Sequence, residues 1–513
     1  MARHPQRMEK GCIMSDREHS QHAFPLSSVQ QLVWLDQALH PELPIYNNGM
    51  AWQIRGTVDA ELLRKAINQV AHANDALRIA LDEEQGVPVQ RFQPAIDVDL
   101  AVVDLSGQPD ADARARAYME QVFRRPVDLS RAVLWEAHLV RSDACCYWLK
   151  RYHHLVTDGF GVVNILHAVA DAYNRLLADP QATTEPGPSY REFIADDRDY
   201  LDSPRYERDR QFWCARYATL PAPLFPRVEA ETLGRIAPSE QLRWTVPRAL
   251  FDRFIAFAAR HGHAITHLIL AALSAYFARV NGVDEVVIGV TVHNRATARQ
   301  KKMVGMFSST SPVGVHVDLN GSFVALMAEV AAELRRCYRH QRFPIAEINR
   351  NLKLSQSGRR QLFDVAVQYL GFNTAGHLGA APARLVPMDN GFEFAPLAVI
   401  IRDHHPGDDV VIDFNYSTQL FAHDDIRTMQ ARIAMLIDAA MEDEQVPVCR
   451  LPLMDAQERH QVLAAFNDTA RNYPAHALIH QLFEAQARAR PDAVAIVDEG
   501  VALSYGDVNR RAN

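Results

Sequence analysis

Apolar residues recur along this chain at two alternating spacings, one helical and one with the strand period. Residues 25–36, PLSSVQQLVWLD, open the ordered part with apolar positions at helical intervals. In ELLRKAINQVAHANDALRIAL, from Glu61, residues Leu62, Leu63, Ala66, Ile67, Val70 and Ala71 share one face, and the run predicts an amphipathic helix. AVLWEAHLVR and CCYWLKRY, rich in aromatic and aliphatic residues, predict two strands. After HHLVTDG the helical period returns in FGVVNILHAVADAYNRLLAD. DPQATTEPGPS, from Asp179, is a Pro-, Thr- and Gly-containing loop suited to a crossover between halves.

The second half repeats this grammar. FDRFIAFAARHG, HAITHLILAALSAYFARVNG, FVALMAEVAAELRRCYRHQ and DIRTMQARIAMLIDAAMED predict helices. DEVVIGVTV, FDVAVQYL and DDVVIDFNYS predict strands. Helices and strands alternate in two lobes, which argues α/β layering in both, over residues 23–190 and 191–450. The polar residues 1–22 read as a disordered leader. Residues 451–475 read as a linker with a short helix, and 476–513 as helix, turn, strand, turn and the start of another helix. That last pattern stops inside a helix at Asn513, as expected of a piece of something longer.

Composition sets bounds. The chain has 513 residues, 48% hydrophobic and 23% charged, ample for a large buried core. A net charge of -8 argues against nucleic acid as a partner, because phosphate binding needs a concentrated basic surface. No segment approaches the roughly 20 apolar residues that span a bilayer, and the N-terminus lacks a signal-peptide core. The six cysteines form no CxxC pair and no Cys/His ligand spacing, so no metal site is expected. Cys145 and Cys146, inside an apolar run, read as buried free thiols of a reduced, cytoplasmic protein.

The chemistry concentrates in Arg151-Tyr-His-His-Leu-Val-Thr-Asp-Gly-Phe-Gly161. His153 and His154 stand at a strand-to-helix junction, where side chains can face a cleft. Asp158 can fold back on the loop, and Gly159 permits a tight backbone. Imidazole titrates nearest neutral pH, so it suits general-base work or the positioning of an attacking amine. Neighbouring backbone N–H groups can stabilise an oxyanion. There is no GxSxG, which favours direct transfer to an acceptor over an acyl-enzyme.

HHxxxDG resembles the signature of the condensation-domain superfamily, relatives of chloramphenicol acetyltransferase. Further segments match in order. PLSSVQQLVWL, with Ser27, Gln30 and Trp34, resembles the family's opening motif. NDALR, ending at Arg78, resembles RHExLR, with Asn74 where histidine is usual. YREFIADDRDYL followed by RDRQFW, and VIGVTVHNR followed by VGMFSSTSPV, resemble the fourth and fifth motifs; Gly305, Phe307 and Thr310 are in place, with Ser309 at an asparagine position. RHQRFPIAEI keeps His340, Gln341 and Pro344 of a later motif, and LFDVAVQY and FNYSTQLF resemble the last strands. HQLFEAQARARPDAVAIVDEGVALSYGDVNRRAN resembles the start of an adenylation domain. Epimerising relatives share the histidine motif but follow a carrier domain, and heterocyclising relatives replace the histidines.

The resemblance implies two chloramphenicol-acetyltransferase-like lobes in a V-shaped pseudo-dimer around a central tunnel. It implies that His154 is the principal catalytic residue, as base or as the group that positions the amine, with His153 beside it in the more structural role. Gly159 would allow close approach of the pantetheine arm or the reacting carbonyl. Asp158 would ion-pair with Arg78 to brace the loop. Ser309 and Thr310 would line the substrate channel. For Arg151, a strand-end arginine reaching solvent competes with a donor-channel residue that limits acyl length, because a guanidinium is costly against a long alkyl chain. No metal or cofactor is implied; coenzyme A or 4'-phosphopantetheine carries the substrates. The partners would be an acyl-CoA or acyl-carrier donor, a downstream peptidyl carrier as acceptor and an adenylation domain in cis.

Three readings of function stay open. The N-terminal position, WLDQALHPELPIYNNG and RYHHLVTDGFG look like an initiating, or starter, domain that acylates an aminoacyl-carrier thioester. An elongating domain fed by a peptidyl carrier on another chain would carry a docking segment within residues 1–22. A catalytically silent carrier-binding module would not need the intact HHxxxDG.

Overall fold

Runs of β-branched and aromatic residues form two six-stranded sheets in the computed structural model, which describes residues 22–226, 236–472 and 475–513. In chain order the strands are β1 (Asn47–Ile54), β2 (Leu100–Asp104), β3 (Trp135–Arg141), β4 (Cys146–His153), β5 (Ser239–Val246) and β6 (Glu285–Val292). They continue with β7 (Ser309–His316), β8 (Val365–Leu370), β9 (Gly376–Leu378), β10 (Ala381–Pro387), β11 (Leu397–Arg402) and β12 (Val410–Ser417). The first sheet has the order β9-β10-β1-β4-β3-β2 and the second β7-β6-β8-β11-β12-β5. Both are mixed: β2 pairs parallel with β3, and β8 parallel with β6 and β11.

The expected α/β layering is present in both lobes. Helix α1 (Ser28–Leu39) opens the first lobe on a capping box between Ser27 and Gln30. Helices α2 (Ala60–Ala73) and α4 (Gly159–Ala178) pack on one face of the first sheet; Leu63, Ile67 and Val70 meet Val162, Ile165 and Val169 there. Burying each such side chain contributes about 1.5–3 kcal/mol. Helix α3 (Ala111–Phe123) covers the opposite face through Ala115, Met119 and Val122 against Tyr147 and Leu149. All eight residues of β4 are buried, Lys150 and Arg151 among its apolar and aromatic neighbours. Around the second sheet, α5 (Arg248–Arg260), α6 (Ile265–Asn281), α7 (Phe323–Arg339) and α8 (His423–Glu442) share one core with Val287, Val313, Val399 and Phe414.

Two sequence expectations need revision. The helix from Glu61 does not run to Leu81: it stops at Ala73, and Ile79 begins a strand. Asn74 donates its amide to Val70 O at 2.8 Å, and Asp75 accepts the Tyr190 N–H at 2.9 Å, so two polar side chains end the helix. The lobe boundary at 190/191 is not clean, because β9 and β10 belong to the first sheet: residues 383–387 pair with 50–54. The segments Arg191–Leu201 and Pro204–Arg216, noted only for their motifs, are helices.

The chain divides into two compact units, Met1–Leu453 and Met454–Asn513. The second holds helices Ala456–Leu463, Ile479–Ala489 and Tyr505–Ala512, with a hairpin of Val494–Asp498 and Val501–Ser504 where one strand was expected. Of the expected leader only His22 is among the described residues. Cys145 and Cys146 are buried free thiols. Among the described residues no single helix is long and apolar enough to cross a membrane.

Candidate active site

The interior strand β4 ends at His153, His154 follows directly, and α4 begins five residues after His154. His153 is sealed at 0% exposure. Its Nδ1 accepts the Leu155 N–H at 3.2 Å, so the proton resides on Nε2, which donates to Gln37 Oε1 at 3.1 Å. Gln37 is fixed in turn by donating to His40 O at 2.7 Å and Leu43 O at 3.0 Å. His153 does not line the cavity described below, and its hydrogen bonds hold the loop, in keeping with the more structural role expected of it.

His154 points the other way, into a cavity of about 380 Å³. Its backbone N–H donates to Tyr46 O at 2.9 Å, and its ring meets the Tyr46 ring edge-on at 6.1 Å. Its Nδ1 has no hydrogen-bond partner among the described residues. Burial pushes the imidazole pKa down to about 4, a shift that Asp158 partly opposes, so the ring is neutral at pH 7.

Asp158 anchors this loop across the two lobes. It caps α4 by accepting the Gly161 N–H at 2.8 Å. Its other partner is Arg295, just beyond β6, whose two terminal nitrogens reach the carboxylate at 2.6 and 2.9 Å. The N–H groups of Phe307 and Ser308 and the Ser308 hydroxyl also donate to it, at 3.2, 3.0 and 2.9 Å. Burial raises the carboxyl pKa, but the Arg295 guanidinium and these donors outweigh burial and hold it below the usual range. The expected pairing with Arg78 is therefore wrong. Arg78 donates instead to the carbonyls of Gln93 and Pro94.

The crossing segment also needs a glycine. Gly305 has φ +153°, and a Cβ there would lie 2.1 Å from the Tyr190 ring, whose hydroxyl donates to Met306 O at 2.7 Å. At Gly159 an added Cβ would meet nothing within 4 Å, so the space beside it is open to the cavity it lines.

Ser309 and Thr310, at the start of β7, line this cavity and a second one of about 320 Å³. Tyr46, Thr291, Glu393 and Phe394 also belong to both, so the two chambers adjoin. The second chamber is walled by Val29, Leu32 and Val33 of α1 and by Phe363, Val367 and Val399. Arg151 lines neither. It is 4% exposed, pairs with Glu136 at 2.8 Å and donates to Arg125 O, which corrects both the channel and the solvent reading. Among the described residues no group of three His, Cys, Asp or Glu side chains is placed to hold a metal ion. Sequence reasoning missed Gln37, Tyr46, Arg295 and Glu393; the first three lay within quoted segments, WLDQALHPELPIYNNG and VIGVTVHNR, but without a role.

A family profile described as "Condensation domain" matches residues 20–463. The chain is 28% identical over 504 residues to a dimodular nonribosomal peptide synthase of Bacillus subtilis, covering 96% of this chain and 20% of that protein. It is 24% identical over 493 residues to surfactin synthase subunit 1 of the same organism, covering 95% and 14%. The chain thus spans a fifth or less of these relatives. The first condensation domain of the calcium-dependent antibiotic synthetase, bound to a substrate analogue, superposes with a TM-score of 0.75 at 23% identity, over 85% of this chain and all of that one. A substituted starter condensation domain of rhizomide synthetase, in complex with C8-CoA and Leu-SNAC, superposes with a TM-score of 0.75 at 25% identity, over 86% and 99%.

Proposed function

The chain belongs to the condensation-domain family, and from that premise we propose that it is the starter condensation domain of a nonribosomal peptide synthetase. It joins an acyl group, carried on coenzyme A or a carrier protein, to the α-amine of an aminoacyl-carrier thioester. The observation that carries the reading is the imidazole of His154, which lines a cavity shared by both lobes. A neutral ring accepts a hydrogen bond from the incoming amine and aims its lone pair. With a pKa of about 4 it positions the amine better than it stores a proton.

The amine nitrogen attacks the thioester carbonyl, a C–N bond forms, the C–S bond breaks, and the thiol leaves with the displaced proton. The positive end of α4, whose first residue Gly159 lines the cavity, opposes the charge developing on the carbonyl oxygen. Holding both reactants in one chamber replaces a bimolecular encounter. Pantetheine arms are substrate, not resident cofactor. The adjoining apolar chamber gives room for an acyl chain, and the likeness to a starter domain bound to C8-CoA supports an acyl donor.

Incubation with acyl-CoA and the loaded downstream carrier, followed by mass spectrometry, tests this. An N-acyl-aminoacyl product is expected. Turnover only with an upstream peptidyl carrier would establish an elongating domain instead, and carrier binding without turnover a silent module.

A further inference from the structure

Glu393 lies where three cavities meet: it lines the His154 chamber, the adjoining apolar chamber and a third of about 160 Å³. Its Oε1 accepts one hydrogen bond, from Asn415 Nδ2 at 2.7 Å. Among the described residues it forms no ion pair. That separates it from its charged neighbours: Arg402 is committed to Asp413 at 2.8 Å, and Asp389 to Arg124 at 3.4 Å. A carboxyl left without a cation in a partly buried site is costly unless a substrate supplies one.

Its segment is pinned to residues 45–47, the stretch whose Tyr46 carbonyl accepts the His154 N–H. Asn390 donates to Ile45 O at 3.3 Å and to Asn47 O at 3.4 Å. The Phe394 ring packs 5.0 Å from the Tyr46 ring, the same ring that meets His154. The acceptor brings one group that is cationic at neutral pH, its α-ammonium, and this must lose a proton before it can attack. On the amide-forming reading above, we propose that Glu393 is a second catalytic residue, which receives the acceptor's α-ammonium, takes up one proton and releases the free amine to His154.

The proton balance closes. The ammonium and the Glu393 carboxylate become amine and carboxylic acid, the amine displaces the thiol, and the carboxylic acid returns its proton to solvent. The charged and titratable groups around Glu393 are Asp389 on its own segment, Arg402 on β11, Asp36, Tyr46 and Arg360 on the wall of the second chamber, and Arg359 and Asp364 on that of the third. His154 and His404 face the shared chamber. Burial, above all, pushes the Glu393 pKa up to about 7; Asp389 adds to this, while Asn415 and Arg402 oppose it. A base near 7 is matched to an α-ammonium at about 7.7–8.0.

The test is the pH profile of single-turnover condensation by the full chain, with acyl-CoA and the loaded carrier, for wild type and Glu393→Gln. The glutamine keeps the acceptor for Asn415, and an unchanged melting temperature checks the fold. The α-amine is only about one-tenth free at pH 7, so the variant should lose about tenfold there and recover near pH 9. Glu393→Asp should retain part of the activity at pH 7. Equal profiles, or a loss equal at every pH, would overturn the assignment. If wild type forms no amide, the parent reading fails instead.

Discussion

Arg295 reaches from beyond β6 to grip both carboxylate oxygens of Asp158, at 2.6 and 2.9 Å, with both side chains 0% exposed. The pair ties the second sheet's crossing loop to the helix cap that follows the histidines. Arg295→Ala leaves a carboxylate buried without its cation, and should cost about 3–5 kcal/mol in urea unfolding. Adding Asp158→Asn to that variant should restore part of the loss, since the stranded charge is gone.

His153 and His154 are adjacent yet do different work. His153→Ala should strand Gln37 Oε1 and the Leu155 N–H, costing about 1–3 kcal/mol for each group left unpaired. Its condensation rate should fall only as far as the loop shifts, and melting temperature and rate should fall together.

Much of this was legible from residue types. Buried strands announced themselves as CCYWLKRY and VIGVTV, and α4 by its apolar period. The histidine junction stood out because HHLVTDG falls between a strand and a helix. What periodicity does not carry is a partner 137 residues away: nothing in NDALR or VTVHNR says which arginine meets Asp158. Glu393 was silent for the same reason, lying in an irregular loop that only tertiary packing turns toward a cavity. Strand β9 is only three residues long, and β9 and β10 join the first sheet although they follow most of the second. A reading that divides the chain once cannot see this exchange.

Acid should weaken the first unit by a mechanism these groups set. Burial lowers the His153 and His154 pKa values to about 3 and about 4, from an unfolded value of about 6.5. The unfolded state therefore binds more protons below pH 6.5, and the contribution of both rings is full above that pH and declines toward pH 4. Asp158, also lowered, adds a further loss as pH falls through its folded value. Denaturant melts from pH 8 to 4 should show this decline, with a shallower slope in His153→Gln.

Arg151 now yields a prediction about stability rather than acyl length. Arg151→Ala leaves Glu136 with Arg125, at 2.8 Å, and empties a buried site, so a loss of about 2–4 kcal/mol is expected. Competition among acyl-CoA donors of different length should return the wild-type product ratio, because the side chain lies outside both chambers.

The role of His154 is tested most directly by single-turnover amide formation in His154→Ala, with acyl-CoA and the loaded carrier both saturating. If the imidazole aims the amine, the product rate should fall at least about 100-fold while the melting temperature and acyl-CoA binding hold. A variant that condenses as fast as wild type would contradict the account.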